Sequence, residues 1–475
     1  MREGLLAVDL GTSGVKVGVV GVDGALVSFA ERRYPLIEGG SPGWFEQDPR
    51  EWWRASREAM HEAVGHAKDT RVIAACIGGQ GPSLVPIDAN GEPLANAIIW
   101  MDRRTENERR AMSDRLGSEV STYSNIPRAM WLRINRPEVY ARVRQFLQSW
   151  DFIAYRLTGT AVASSFVGAT VFPPEHLAAA ELDPTRFPRE LVMGEVGGVV
   201  TAEAARDLGI DAGIPVGGGV NDSTATVLGG GLVRRGLALD LGGTSGGIAL
   251  AWDTRVGDNG LTAWPAPTPG LFVCGGPLAS SGRALGWLMA ATGYGPHDYA
   301  QVERDAATVA PGSDGLIFVP YLAGERTPLW DDRARGMFFG LTERHTRAHL
   351  ARAMFEGVAF SVRHIVDTLR EGGAQVEELR VVGGQAKVKL WAKIKADVLG
   401  VPVVIPTITE GAVLGEAVLA AVAAKRFPDL ATGAAGFMKE AARFEPDPAN
   451  AGMYERQYRT YRELYPRLRD LMRAT

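Results

Sequence analysis

The chain has 475 residues, of which 46% are hydrophobic and 22% are charged, and its formal net charge is −4. This length exceeds what one hydrophobic core usually serves, so we expect two domains with a cleft between them, and the lack of a clustered Lys/Arg stripe argues against nucleic acid as a partner. Two cysteines, Cys76 and Cys274, are too few for a disulfide framework, and the apolar runs fall short of the roughly 18 residues that a membrane span needs. We therefore expect a cytoplasmic protein without a signal peptide or membrane anchor.

The chain begins with a predicted strand, a glycine-rich turn and a second strand. Residues 5–10 are mostly apolar, the turn reads Gly11-Thr12-Ser13-Gly14, and Lys16 interrupts the apolar run that follows. A turn without Cβ atoms brings backbone N–H groups close to phosphate oxygens, and Thr and Ser hydroxyls add donors. A plain β-turn, and a solvent-facing Lys16, are the alternatives. We predict phosphate binding by Gly11, Thr12, Ser13 and Lys16.

Asp9 lies near the end of the first predicted strand, in an otherwise apolar run. A buried carboxylate is costly unless it meets a cation or hydrogen-bond donors, and a magnesium-bound nucleotide would supply a cation. The alternative is a surface aspartate at a strand end. Because Asp9 directly precedes the phosphate turn, we predict that it is a metal ligand.

Residues 215–228 predict a strand that runs into three glycines and then a helix, with Asp222 at the start of the helix. Helix capping alone would explain an aspartate there. However, Gly217-Gly218-Gly219 would allow a ligand to approach closely, which favours a functional role for Asp222.

The first hairpin pattern returns at residues 237–251, where Asp240 precedes Gly242, Gly243, Thr244 and Ser245. The chain is therefore predicted to contain two copies of one architecture, and the repetition favours two turns that grip a triphosphate. We place the domains at 1–234 and 235–475 and leave open whether the last helix packs back on the first domain. Later, a predicted strand at 379–382 runs into Gly383, Gly384 and Gln385, where a helix N-terminus could bind adenosine or the α-phosphate.

Taken together, these motifs and others along the chain resemble those of the FGGY carbohydrate kinases and, within them, the xylulokinases. The resemblance covers nearly the whole chain, and its motifs are residues 8–16, 44–49, 99–104, 217–222, 320–328, 336–342 and 356–358. It implies an α/β fold of two ribonuclease H-like (actin-like ATPase) domains, with sugar held mainly by the first domain and ATP mainly by the second. It also implies that Asp222 is the catalytic base, that Asp9 and Asp222 assist Mg²⁺, and that Gly383-Gly384 runs beside adenosine.

The implied reaction transfers the γ-phosphoryl group of ATP to a hydroxyl of a small sugar, a ketopentose such as xylulose. Polyols are held by planar polar groups and aromatic walls. Our candidates for sugar contacts are Gln80, Gly81, Trp100, Asp102, Arg104, Asn221 and Asp222, with a core position as the alternative for Trp100.

The departures from the family concern the substrate. Residues 80–83 read Gln-Gly-Pro-Ser where xylulokinases have Gln-Met-His-Gly, Arg128 replaces a usual lysine, and Ser164 stands where an aspartate is common. The lost histidine removes a hydrogen-bonding group, so another sugar, a polyol or a sugar acid is the alternative substrate. A non-kinase actin-like ATPase and a serine hydrolase using Ser245 are remote alternatives, and a homodimer is one open option for the oligomeric state.

Overall fold

The computed structural model of the chain describes residues 1–166 and 168–474. The strands of the first half are β1 (Arg2–Leu10), β2 (Gly14–Gly21), β3 (Leu26–Arg33), β4 (Ile37–Glu38), β5 (Phe45–Gln47), β6 (Thr70–Gly79), β7 (Leu84–Ile87), β8 (Ala97–Ile98), β9 (Gln145–Gln148), β10 (Val162–Ser165), β11 (Arg189–Val192), β12 (Val196–Val199) and β13 (Pro215–Gly217). Those of the second half are β14 (Leu237–Asp240), β15 (Gly247–Trp252), β16 (Thr262–Pro265), β17 (Phe272–Pro277), β18 (Ile317–Val319), β19 (Met337–Phe339), β20 (Glu378–Val381), β21 (Val403–Pro406) and β22 (Glu440–Phe444).

The helices of the first half are α1 (Pro49–His66), α2 (Glu106–Leu116), α3 (Ile126–Asn135), α4 (Pro137–Arg142), α5 (Ser149–Thr158), α6 (Pro174–Ala179), α7 (Ala202–Leu208) and α8 (Asp222–Gly229). Those of the second half are α9 (Gly282–Ala291), α10 (Tyr299–Ala307), α11 (Arg347–Glu371), α12 (Lys389–Leu399), α13 (Gly411–Ala423), α14 (Leu430–Phe437) and α15 (Pro448–Met472). Short 3₁₀ turns span Pro184–Arg186, Ser313–Gly315 and Gly384–Lys387. Among these helices of the described chain, none is both long and apolar enough to cross a bilayer.

The chain divides into two compact units. The first unit comprises Met1–Gly229 and Gly411–Phe437, and the second comprises Gly230–Glu410 together with the segment that starts at Met438. The prediction of one continuous boundary after residue 234 differs from this division, because residues 411–437 belong to the first unit. The last helix, α15, packs on α11 and α12 of the second unit.

The return of α13 to the first unit follows from its composition. Nearly every residue of α13 is apolar, and almost the whole helix is buried. Such a helix has no polar face to give to water, so it is stable only when surrounded. In the first unit it packs on α8 and on strands β1, β6 and β13.

The main sheets of the two units share a six-strand order, to which the second unit adds the edge strand β16. The first unit has the order β12-β13-β6-β1-β2-β3, in which β1 is antiparallel to β2 and parallel to β6. The second unit has the order β16-β17-β15-β14-β20-β21-β22, in which β14 is antiparallel to β15 and parallel to β20. Each unit therefore carries a glycine turn beside the carboxyl end of a parallel strand, where ligands of α/β sheets usually bind.

A smaller sheet of the first unit has the order β4-β5-β8-β7-β9, and β10 pairs with β11 beside it. Together with α3 and α6, these strands surround a separate apolar cluster that includes Phe146, Phe172 and Phe187.

Candidate functional site

The turn between β1 and β2 is held by side chains that bind its carbonyl groups. Gln47 Nε2 donates to the carbonyl of Thr12 at 2.8 Å, and the Tyr34 hydroxyl donates to that of Gly11. Trp100 Nε1 donates to the hydroxyl oxygen of Thr12 at 2.9 Å. With the carbonyl groups engaged on the protein side, the turn is fixed in a conformation in which its N–H groups can serve a ligand.

Gln80 lies directly after β6, beside the same turn. Its backbone N–H donates to the carbonyl of Leu10 at 2.7 Å, and its side-chain Nε2 donates to Gln47 Oε1 at 2.6 Å. Its Oε1 is buried and has no hydrogen-bond partner among the described residues. An unsatisfied buried acceptor is costly, which fits a ligand hydroxyl as its partner.

At the start of α8, Asn221 and not Asp222 caps the helix. Asn221 Oδ1 accepts from the Thr224 N–H at 2.9 Å and so caps the helix, which leaves Asp222 as the first helical residue. Asp222 Oδ1 accepts from its neighbour Ser223 N–H at 2.7 Å. Burial raises the pKa of Asp222 to about 6, and the Ser223 amide opposes that rise. Helix capping therefore does not account for Asp222.

Asp9 and Asp222 lie in one electrostatic environment. Asp9 pairs in register with Lys16 across β1 and β2 and is half-buried. Burial raises the pKa of Tyr34 well above its usual value, and the negative charges of Asp9 and Asp222 add to the rise. The Tyr34 hydroxyl therefore lies within the electrostatic reach of both carboxylates, at the first glycine turn.

The donor set of the first unit fits Mg²⁺. The described residues contain no cluster of three or more His, Cys, Asp or Glu side chains arranged to hold a metal. Mg²⁺ is usually held by one or two carboxylates together with substrate phosphates and water, rather than by a protein cage. Asp9 and Asp222 can supply that number of carboxylates.

A cavity of about 280 Å³ opens in the first unit beside Asn221. Gly81 and Pro82 form part of its wall, with Trp150 and Phe166 among its apolar lining. Its polar lining consists of Ser121, Ser124, Asn125, Gln148, Ser164, Ser165, Thr170, His176 and Asn221. No lysine or arginine occurs among the described lining residues, so the cavity suits an uncharged polar ligand.

Ser164 is part of a buried network behind this cavity. Its hydroxyl donates to Asp151 Oδ1 at 3.1 Å and lies 2.7 Å from the Gly219 carbonyl, while Gln148 Nε2 donates to Asp151 Oδ2 at 2.7 Å. Burial raises the pKa of Asp151 to about 7, although both hydrogen bonds lower it. The network ties the cavity wall to the glycine segment before Asp222.

Five of the seven predicted sugar contacts are not among the described lining residues of this cavity: Gln80, Trp100, Asp102, Arg104 and Asp222. Arg104 donates to Asp102 at 2.7 Å and to Glu46 at 2.7 Å, and its guanidinium lies 3.9 Å from the centre of the Trp44 ring. The side chains of Arg104 and Asp102 are almost fully buried and engaged with each other. Trp100 is 43% exposed and donates to the first glycine turn, so it does not occupy the core.

The second glycine turn, residues 241–246, is held by the start of α9. The amides of Gly282 and Arg283 donate to the carbonyls of Gly243 and Thr244 at 3.2 and 2.8 Å. The described residues include no acceptor for the amides of Gly243, Thr244 and Ser245. These amides can therefore bind an anion, as the sequence predicts.

A cavity of about 380 Å³ in the second unit joins this turn to the segment after β20. Its described lining is Gly242, Gly243, Thr244, Gly282, Leu285, Tyr299, Gly384, Gln385, Lys387, Val388 and Trp391. Gly242 has a φ of 58°, and a Cβ there would lie 1.6 Å from the carbonyl oxygen of Val382. The close approach of the two segments therefore requires glycine at this position.

The residues predicted to bind the nucleotide differ in their exposure to this cavity. Gly384 is exposed, whereas Gln385 is buried and its Nε2 donates to Ser281 Oγ at 2.7 Å. Gly383 has a φ of 69° and is not among the described lining residues. Tyr299, which the sequence analysis missed, presents a half-exposed ring to the same space.

Sequence reasoning also missed Tyr34, Gln47 and Asp151. Each is a polar residue, and comparable residues occur at many structural positions. Two signals were present: Gln47 lies in the motif of residues 44–49, and Tyr34 follows β3 directly before a proline, near a turn.

Comparison with known proteins agrees with this geometry. Residues 5–229 match the N-terminal domain of the FGGY family of carbohydrate kinases, and residues 242–424 match the C-terminal domain of that family. A xylulose kinase of Staphylococcus epidermidis is 30% identical over 99% of this chain and 98% of that protein.

Solved structures extend the comparison to the fold. The xylulose kinase of Rhodospirillum rubrum is 31% identical, with a TM-score of 0.83 over 99% of this chain and all of that chain. A gluconate kinase of Lactobacillus acidophilus is 25% identical, with a TM-score of 0.83 over 98% of both chains. The strand order, the two glycine turns and these similarities show that the chain is a sugar kinase with the actin-like ATPase fold and belongs to the FGGY family of carbohydrate kinases.

Proposed function

We propose that this kinase phosphorylates an uncharged small sugar, with a ketopentose such as xylulose as the first candidate, and that Asp222 is the base. The observation that carries the proposal is the start of α8, where Asn221 caps the helix and lines the cavity while Asp222 follows it. The sugar would bind in the cavity of the first unit. Xylulose is suggested by the relatives, and the absence of Lys and Arg from the described lining disfavours a sugar acid.

The proposed chemistry is a direct transfer. The sugar hydroxyl oxygen attacks the γ-phosphorus of ATP, ADP leaves, and the hydroxyl proton passes to a carboxylate oxygen of Asp222. With a pKa of about 6, Asp222 is mostly ionised at neutral pH and remains basic enough to accept a proton. A base so placed typically contributes about 10²- to 10⁴-fold to the rate.

The second unit is proposed to hold ATP in its cavity of about 380 Å³, which is within the usual size range of ligand sites. The amides of Gly243, Thr244 and Ser245 would bind phosphate oxygens, and Gly384 would pass beside adenosine. Bound Mg²⁺, held by Asp9 and Asp222, would offset phosphate charge. We also propose that Gly11, Thr12, Ser13 and Lys16 contact phosphate groups.

The sugar is proposed to contact Gln80 through its unsatisfied Oε1, together with Gly81 and Asn221. Asp102 and Arg104 are proposed to act indirectly, because their charges are engaged with each other. Trp100 lies outside the described lining of the cavity, so it is proposed to support the first glycine turn through its hydrogen bond to Thr12. We also propose that the reaction takes place in the cytoplasm. The two cysteines are free and buried, which is consistent with a reducing compartment.

The test measures ADP release from Mg-ATP in the presence of ketopentoses, aldopentoses, polyols and sugar acids. We expect a neutral sugar to stimulate ADP release and to appear as a monophosphate in stoichiometric amount. Stimulation by gluconate alone would contradict the neutral-substrate proposal. ATP hydrolysis that no sugar stimulates would contradict the proposed function.

A further inference from the structure

A chain of four buried polar side chains runs through the second unit. Lys395 Nζ donates to Asp240 Oδ2 at 2.6 Å and to Gln385 Oε1 at 2.8 Å. Gln385 Nε2 donates to Ser281 Oγ at 2.7 Å. Asp240 and Lys395 are both fully buried, and Gln385 and Ser281 are at most 3% exposed.

The hydrogen-bonding capacity of this chain is almost fully used. Asp240 Oδ1 accepts from the Gly242 N–H at 3.0 Å, so both carboxylate oxygens are bound. The Lys395 ammonium makes two hydrogen bonds and lies 4.8 Å from the centre of the Trp391 ring. A buried ion pair is tolerated only when its remaining groups are satisfied in this way, and losing one partner leaves an uncompensated charge.

The four residues come from separate segments that meet at the 380 Å³ cavity. Asp240 ends β14 at the second glycine turn, Gln385 lies in the 3₁₀ turn after β20, and Ser281 immediately precedes α9. Lys395 lies on α12, behind the cavity. The ammonium group of Lys395 therefore links the second glycine turn to the 3₁₀ turn of residues 384–387, and Gln385 extends the link to the start of α9.

Asp240 differs from Asp9 in its burial and in its partners. Both aspartates lie at the end of the strand before a glycine turn, in matching positions of the repeated sheet. Asp9 is half-buried, whereas Asp240 is fully buried against Lys395. A carboxylate whose two oxygens are both bound internally is not available to a metal ion.

We propose that Lys395 is a positioning residue for the nucleotide, with Asp240 as its fixed counter-ion. Through Asp240 it positions the second glycine turn, and through Gln385 and Ser281 it positions the 3₁₀ turn of residues 384–387 and the start of α9 in the geometry that binds ATP. This inference rests on the assignment of the second-unit cavity to ATP. It predicts that breaking the chain weakens nucleotide binding and leaves sugar binding unchanged.

The test uses Lys395→Met, with Lys393→Met as the matched control. Lys393 lies on the same helix and is paired with Asp397 at 2.6 Å, but its side chain is 36% exposed. Affinity for ADP in the absence of sugar, affinity for sugar, and the KM for ATP are measured on the intact chain. We expect Lys395→Met to weaken ADP binding and raise the KM for ATP by about tenfold or more, because misplaced binding groups carry costs of this size. We expect wild-type sugar affinity, and wild-type behaviour of Lys393→Met.

Two further variants distinguish a specific loss of nucleotide affinity from a loss caused by misfolding. Ser281→Ala removes the end of the chain without leaving a buried charge, although it leaves the buried Gln385 Nε2 without its acceptor. We expect several-fold weaker ADP binding and a melting temperature that is lower than that of wild type but higher than that of Lys395→Met. Lys395→Met combined with Asp240→Asn removes both charges and should recover part of the thermal stability lost in Lys395→Met, but not the ADP affinity.

The outcomes separate the two proposals. If Ser281→Ala and the folded Lys395 variants bind ADP with wild-type affinity, the positioning role is refuted and the chain is purely structural. If the wild-type protein itself binds no ADP, the assignment of the cavity to ATP fails instead. An equal loss of sugar and ADP affinity would also overturn the inference, because it would indicate general damage.

Discussion

Glu416 offers a sharp physical test of the first unit, because it is an acid enclosed in an apolar helix. It lies on α13 and is fully buried, with Cys76 Sγ donating to its Oε2 at 2.9 Å. Its Oε1 has no hydrogen-bond partner among the described residues. Burial raises the pKa of Glu416 well above its usual value, the Cys76 thiol lowers it, and the charge of Asp9 raises it further. The fold thus favours the protonated form of this side chain.

The sign of the pH effect follows from this raised pKa. In the unfolded chain a glutamate has a pKa of about 4.3, so above that pH the folded state holds one more proton than the unfolded state. The free energy of unfolding therefore falls as pH rises, by up to about 1.4 kcal/mol per pH unit, until the folded pKa is reached. Glu416→Gln removes this proton uptake. For a unit of this size the slope corresponds to about 3 to 6 °C in melting temperature per pH unit.

The assay compares melting temperatures of wild type and Glu416→Gln from pH 5 to pH 8. Glu203→Gln, a change at an exposed carboxyl on α7, serves as the control. We expect the Glu416→Gln curve to rise above the wild-type curve progressively as pH increases, whereas the Glu203→Gln curve runs parallel to wild type. Parallel curves for Glu416→Gln would refute the argument, since they would mean that Glu416 ionises normally in the fold.

Three further predictions concern the site. Sugar-dependent kcat/KM should fall about tenfold per pH unit below pH 6, because the Asp222 base is lost on protonation; a flat profile from pH 5 to 7 would contradict this. Gly242→Ala should abolish ADP binding, since its Cβ would lie 1.6 Å from the Val382 carbonyl; wild-type ADP affinity by calorimetry would contradict the geometry. Arg104→Met should cost about 3–5 kcal/mol in urea unfolding by leaving the buried charge of Asp102 unpaired; a loss confined to sugar affinity would mean that Arg104 is a direct sugar ligand.

The repeated hairpins could be predicted from the sequence because the relevant signals are local. A strand, glycines and a second strand specify a turn through backbone conformation alone, and the structure has this arrangement after both β1 and β14. The strand order repeated in both units agrees with the internal repeat inferred from Asp9 and Asp240.

The packing of distant segments could not be predicted in the same way. The apolar pattern of α13 indicates a surrounded helix but does not say which sheet surrounds it. Similarly, the sequence shows Asn221 and Asp222 side by side, and only the bond from Thr224 to Asn221 decides which of them caps the helix. Both outcomes depend on contacts that local patterns do not encode.

The roles of buried polar and charged side chains were the hardest to predict from the sequence. Asp102 and Arg104 were predicted as sugar contacts from their type and motif, and the structure pairs them with each other in a buried position. Gln385 was predicted to bind nucleotide, and its side chain is held between Lys395 and Ser281. A sequence gives the chemistry of a side chain, but whether an internal partner uses that chemistry depends on the fold.

The central claim is that Asp222 acts as a base, so that it contributes to turnover much more than to sugar affinity, and that it is not a structural cap. The most direct measurement compares sugar-stimulated ADP release with equilibrium sugar affinity for Asp222→Asn, with Asp114→Asn as an exposed control from the same unit. The account predicts that Asp222→Asn keeps sugar affinity within a few-fold of wild type while turnover falls by about 10²- to 10⁴-fold, and that Asp114→Asn resembles wild type. Turnover by Asp222→Asn at the wild-type rate, or a loss explained entirely by weaker sugar binding, would contradict the account.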